Sequence, residues 1–231
     1  MSLWRLPCLA LAFVVPLTSG AQEPVLGPDG LKYSWGVGFT YGMPVGDFRN
    51  YVNNGVGIDF FGRWPGEMRG ITLRLEGGLM QYGSETSHLS LGLVDVDLTT
   101  SNLIAWFGAG PQLTLRLGLL RPYIDVTAGL AQFATESSLK GASGNPDAAR
   151  KTNYSSTTFA WGAGVGILRS FRTATGEMSI DLGARFHNNG KASYLREGGI
   201  ENLPDGGIVF HPTTSATNLV TVHVGAAISR Y

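Results

Sequence analysis

From Tyr33 to the end of the chain, apolar residues recur at every second position in eight separate runs. The runs span Tyr33–Tyr41, Val56–Trp64, Ile71–Leu79, Leu103–Leu115, Ile124–Leu130, Phe159–Ile167, Met178–Phe186 and Val220–Ile228. Successive side chains of a strand point to opposite faces, so a period of two marks a strand with two unlike faces. None of the later segments carries a sustained helical period. The chain is therefore read as all-β, and the next question is which face looks inward.

A soluble sandwich buries its apolar face and exposes a face rich in Lys, Glu and Thr. Here the second face is small. Gly162, Gly164 and Gly166 oppose Trp161, Ala163, Val165 and Ile167. Glycine makes up 33 of 231 residues, about twice the usual ~7 %. Charged residues are 15 % of the chain, against a usual ~25 %. Small residues and a few balanced charges suit the crowded interior of a narrow closed barrel. The apolar face then looks outward, and its aromatics gather toward the strand ends at Tyr33, Trp35, Tyr41, Trp64, Phe159 and Trp161. Such ends form the interfacial girdles of a membrane barrel. The expected fold is an eight-stranded antiparallel up-and-down transmembrane β-barrel. The alternative is a soluble exported barrel with the Val, Leu and Phe faces inward around an apolar ligand.

The connections alternate in length. Trp64–Gly70, Leu117–Arg121 and Ser170–Gly176 read as short turns. Gly42–Asn54, Tyr82–Ser101, Ala134–Ser156 and Asn188–Thr217 read as long loops. Short periplasmic turns and long outer loops are the rule for such barrels. Within the last loop, Pro204-Asp205-Gly206-Gly207 reads as a hairpin tip extending strands seven and eight. Leu91–Leu98 alternates in a phase opposite to Leu103, which a bulge near Thr99 or Thr100 would reconcile.

Residues 1–21 read as a secretory signal: one charge at Arg5, an apolar run over Leu6–Leu17, then Thr18-Ser19-Gly20-Ala21. A bilayer-spanning helix needs about 20 apolar residues, more than this run supplies. Residues 22–31 form a short periplasmic segment and residues 32–231 the barrel domain. Cleavage after Ala21 removes Cys8, the single cysteine, and so excludes any disulfide or multi-cysteine metal site from the mature chain. Lys plus Arg and Asp plus Glu each number 17, a balance that argues against a nucleic-acid partner.

Two stretches carry a family resemblance. Gly42-Met43-Pro44-Val45-Gly46-Asp47-Phe48 leads to Asn54-Gly55-Val56-Gly57, and Leu120-Arg121-Pro122-Tyr123 opens a strand. With the strand pattern, the chain from Lys32 to Tyr231 resembles the bacterial outer membrane protein β-barrel domain family. These are small barrels of the class of the outer-membrane protein A transmembrane domain. The resemblance implies location in the cell outer membrane, contact with membrane lipids, insertion by the outer-membrane assembly machinery, and a monomer. It departs in two places. Tyr231 falls out of phase with the apolar face, which implies a bulge near Ser229 or a variant assembly signal. No peptidoglycan-binding domain follows the last strand.

The inward-facing charges are Asp59, Arg63, Arg74, Glu76, Arg116, Asp125, Asp181 and Arg185. Four acids and four arginines read as a compensated network filling the lumen, since guanidinium and carboxylate pair well in confinement. An ion-selective pore is the alternative. His187, in Arg185-Phe186-His187-Asn188-Asn189, stands where some lipid A deacylases keep a His-x-Ser-Asn signature. Asn189 replaces the serine, so the acyl-transfer logic fails and His187 reads as an interfacial histidine. His88, His211 and His223 lack metal-ligand spacing, and Asp95 and Asp97 lack the rest of a calcium loop. The expectation is a non-enzymatic barrel without cofactor or metal. It has a structural or surface-binding role through the outer loops, where Tyr154 and Tyr194 would meet an extracellular ligand.

Overall fold

The computed structural model describes residues 33–66, 68, 70–91, 94–115, 117–141, 149–173, 176–194, 200–202 and 208–230. Seven strands come first in the chain: β1 (Tyr33–Pro44), β2 (Gly55–Pro65), β3 (Ile71–Leu91), β4 (Val94–Thr114), β5 (Leu120–Gly141), β6 (Ala149–Thr173) and β7 (Gly176–Asn189). Four short ones follow, β8 (Lys191–Tyr194), β9 (Ile200–Asn202), β10 (Ile208–Phe210) and β11 (Thr213–Ala216), and then β12 (Leu219–Arg230). The first seven and β12 close into a barrel of eight strands. Each pairs antiparallel with its neighbour in the wall, and β12 returns to β1 from Tyr33↔Arg230 to Pro44↔Leu219. No barrel edge remains between β1 and β12. Paired residues can be followed round the wall from Ser34 to Arg63, Arg74 and Gly110. The path continues across β5 at Thr127, then Gly162, His187 and Leu219. It re-enters β1 at Pro44, not at Ser34. That offset is the stagger that tilts strands and sets a narrow bore.

The alternation read from the sequence matches the two faces of the wall. Trp35, Val37, Phe39, Ile58, Phe60, Leu79, Phe107, Val165, Leu182 and Val224 are all exposed on the outside, Phe39 to 75 %. Ser34, Thr40, Asp59, Arg74, Glu76, Asp125, Thr127, Asp181 and His223 are buried within. The interior is bulkier than small residues alone would make it. Glycine on one strand leaves room for a ring on the next. A Cβ on Gly36 would lie 2.5 Å from Phe61 Cε2 and 2.9 Å from the Ala226 carbonyl. One on Gly183 would lie 2.6 Å from His223 Cε1 and 2.7 Å from the Tyr123 hydroxyl. At the β4–β5 turn, Leu117 and Leu120 exchange backbone hydrogen bonds around Gly118 at φ +67°, a conformation that favours glycine in a tight hairpin.

Two of the expected long loops are strand. β3 and β4 pair without interruption from Gly83↔Asn102 to Leu91↔Val94, and β5 and β6 pair through Leu139↔Ala149. β4 runs straight through Thr99 and Thr100. The irregularities lie elsewhere in the wall, at Tyr82 of β3 between Gln81 and Gly83, and at Asn153 of β6 opposite Thr135 and Glu136. One extra residue in β3 changes which face its side chains take above the bulge. The arms of the expected hairpin in the last loop are present, with β8 paired to β11 and β9 to β10, while its tip at Pro204-Asp205-Gly206-Gly207 lies outside the described residues. Pairing of β12 with β7 continues unbroken through Ser229↔Glu177 to Arg230↔Gly176, so no bulge adjusts the phase there. Tyr231 lies outside the described residues.

Candidate functional site: the barrel interior

The interior has three tiers. The middle one is charged. Arg74, 1 % exposed, places Nε 3.2 Å from Glu76 Oε2 and donates from Nη1 to Gln112 Oε1 at 3.1 Å. Arg185 Nη2 lies 2.7 Å from Glu76 Oε2 and also pairs with Asp125 Oδ1. Its Nη1 donates to Thr127 Oγ1 at 2.9 Å, and Thr127 donates onward to Glu76 Oε1 at 2.8 Å. These residues come from β3, β4, β5 and β7, so barrel closure alone makes them all neighbours. Around them, Tyr123 donates to Asp181 Oδ1 at 2.9 Å and His223 Nε2 stands 3.4 Å from the same oxygen. The Arg74 guanidinium sits 4.8 Å over the Phe61 ring and 5.7 Å over that of Tyr123. A cation over an aromatic face is attracted by the ring quadrupole.

Seven of the eight anticipated charges can be placed. Arg74, Glu76, Asp125 and Arg185 form one connected group, with Asp181 held beside it by Tyr123 and His223. Asp59 is buried on β2, and its Oδ1 has no hydrogen-bond partner. Arg63 stands lower, its Nε donating to Ser34 Oγ at 2.9 Å. Arg116 lies outside the described residues. The sequence reading missed Arg121 and Glu177, which pair in a fork at the short-turn end at 2.6 and 2.8 Å. It also missed the neutral members Gln112, Tyr123 and Thr127.

Above the charges lies an apolar plug. Phe48, Met80, Tyr82, Ile104, Phe133, Tyr194 and Leu219 are buried together. Phe48 comes from a 3-10 helix (Gly46–Asn50) in the β1–β2 loop and reaches inward. Its ring meets Tyr194 edge-on at 5.3 Å and Phe133 edge-on at 6.0 Å. Tyr194 is thus 1 % exposed and does not meet the exterior, because the β8–β11 hairpin turns over the barrel mouth. The Tyr154 side chain lies outside the described residues.

His187 is also inside rather than at the interface. It is buried, its Nε2 is 3.1 Å from Thr221 Oγ1, and its ring packs edge-on to Trp106 at 5.6 Å. Asn189 spends its amide on the Thr217 carbonyl at 2.8 Å, and Ser193 Oγ pairs with Thr214 at 2.6 Å. These contacts do not assemble a serine–histidine pair. His223 serves Asp181, as above. The side chains of His88, Asp95 and Asp97 lie outside the described residues.

The fold and this interior define a closed eight-stranded barrel with a filled bore. No family model matches the chain, and no curated protein matches it. Among solved structures it is similar to Neisserial surface protein A, at 11 % identity over 85 % of this chain and 96 % of that one, TM-score 0.49. It is similar to Ail, the attachment invasion locus protein of Yersinia pestis, at 13 % identity over 85 % and 97 %, TM-score 0.42. A major outer membrane protein from Thermus thermophilus follows, at 9 % identity over 85 % and 98 %, TM-score 0.40.

Proposed function

We propose that the chain is an integral, non-enzymatic barrel of the bacterial outer membrane. Its bore is sealed, and its role is structural or surface-binding. One observation carries this reading: a closed barrel that is apolar all round its outside and charged within. In water that arrangement would leave the apolar wall unburied. In lipid the wall is solvated by acyl chains while closure satisfies every backbone group of the ladder. β1, β2 and β12, of 12, 11 and 12 residues, fit the roughly 9–11 residues of a tilted crossing. β3 to β6, of 21 to 25 residues, are too long for the bilayer and carry a four-stranded sheet beyond it. With the β8–β11 hairpin, that sheet is the surface through which an extracellular ligand would be met.

The test begins with carbonate-washed outer membranes. A band that resists the wash and shifts on boiling is expected, since folded membrane barrels withstand detergent until heated. Release into the wash would sink the reading. Planar-bilayer recordings then separate a sealed barrel from a solute channel, with essentially no conductance expected.

A further inference from the structure

Every other described arginine inside the barrel has a carboxylate. Arg74 has Glu76, Arg185 has Asp125 and Glu76, and Arg121 has Glu177. Arg63 is the exception. It is 8 % exposed, its Nε is bonded to Ser34 Oγ, and its guanidinium lies 5.2 Å from the Phe61 ring centre. No carboxylate among the described residues pairs with it. Asp181 attracts it only from a distance, so the desolvation of this guanidinium is offset only in part.

Arg63 lines a cavity of about 110 Å³ that opens at the short-turn end. Ser34, Thr72, Gln112, Thr114 and Arg121 line it too, and none of its described lining residues is acidic. Gln112 spends its amide on Thr114 Oγ1 at 2.9 Å. Arg121 uses both terminal nitrogens on Glu177, and its buried Nε has no hydrogen-bond partner. Among the described residues the chamber therefore presents one guanidinium with no carboxylate in contact, Asp181 acting on it only through space, and one unpartnered guanidinium N–H. At roughly 10–15 Å³ of such free space per water, the chamber is roomy enough for several waters or one small ion.

We propose that this chamber binds a small oxyanion, a carboxylate or a phosphate group, on the Arg63 guanidinium. The planar fork matches two oxygens of such a group at once, which a spherical halide cannot offer. The binding chemistry is independent of the membrane assignment; on that assignment the chamber opens to the periplasm.

The test uses the refolded protein in dodecyl maltoside, a detergent without anionic groups. Urea unfolding is followed while inorganic phosphate or acetate is titrated, with sodium chloride holding ionic strength constant. A ligand bound only by the folded state multiplies the folded-to-unfolded ratio by one plus the ratio of its concentration to Kd. At ten times Kd a gain of about tenfold is expected, saturating on a binding curve. R63Q is expected to lose the saturable gain while still shifting on boiling. If R63Q does not refold, R63K takes its place, keeping the charge but losing the fork, with at least tenfold weaker binding expected. Dihexanoyl phosphatidylglycerol is titrated in parallel. A response to soluble phosphate or acetate assigns a free oxyanion, and a response to the lipid alone assigns a headgroup phosphate to the same site. Absence of any saturable gain in the wild type, or an equal gain in the Arg63 variant, overturns the proposal.

Discussion

Arg185 shows how much depends on single side chains in this interior. It is the ion-pair partner of Asp125 and shares Glu76 with Arg74. Removing one member of a buried group strands the others, typically at about 3–5 kcal/mol. Arg185→Leu is therefore expected to lower the urea midpoint strongly. Adding Asp125→Leu is expected to recover part of the loss, because the stranded carboxylate goes with it. An unchanged midpoint in the single variant would mean that water already screens the group. Gly36 makes the same point through space. Gly36→Val drives a side chain into Phe61 and the Ala226 carbonyl, at an expected cost of about 1–3 kcal/mol. In a Phe61→Ala background the valine is expected to cost measurably less, read from the same unfolding curves. Glycines on the inner face were visible in the sequence, but their counterparts were not. Which ring fills which notch depends on the register between strands.

At the scale of elements, legibility followed the demand for an apolar face. The eight wall strands were readable because one side of each is Val, Leu, Ile or aromatic. The outer extensions were not, although they are strand. Ser84-Glu85-Thr86-Ser87-His88 and Asn153-Tyr154-Ser155-Ser156-Thr157-Thr158 have β-compatible residues and no apolar alternation. Where neither face has to be apolar the periodic signal fades, surviving over Leu91–Leu98 but not over these stretches, while the hydrogen-bond ladder continues. Hydrogen exchange checks this directly. Amides across 84–91 and 94–101 are expected to exchange slowly, as ladder partners do, and exchange at unprotected rates would restore the loop assignment. The 3-10 helix behaves as an anchor with one attachment point, Phe48. Phe48→Ala is expected to cost about 3–5 kcal/mol, as other Phe→Ala core truncations do. It is also expected to speed tryptic cleavage after Arg49. Unchanged cleavage would show that the plug does not hold the loop.

For the whole molecule, inside and outside are exchanged relative to a soluble protein, and tryptophans report on it. Trp35 and Trp161 are exposed on the wall, whereas Trp106 turns inward against His187. In vesicles containing brominated lipid, single-tryptophan variants keeping Trp35 or Trp161 are expected to be quenched strongly, and the variant keeping Trp106 weakly. Equal quenching would contradict the facing of the strands. The two ends of the molecule also differ in kind. The long-loop end is closed by an aromatic plug, and the short-turn end opens on the Arg63 chamber.

The sequence by itself determined the all-β class, the eight wall strands, which residues face outward, and that charge lies within, because a period of two assigns every side chain in a strand to one of two faces. Only the tertiary structure decided which charges meet and that Asp59 and Arg63 stand outside the ion-paired group. It also placed Phe48 and Tyr194 inside as a plug. Arg185 lies 60 residues from Asp125 along the chain, and Tyr194 lies 146 residues from Phe48. Contacts at those separations are set by register, stagger and closure of the whole wall, which no local pattern encodes.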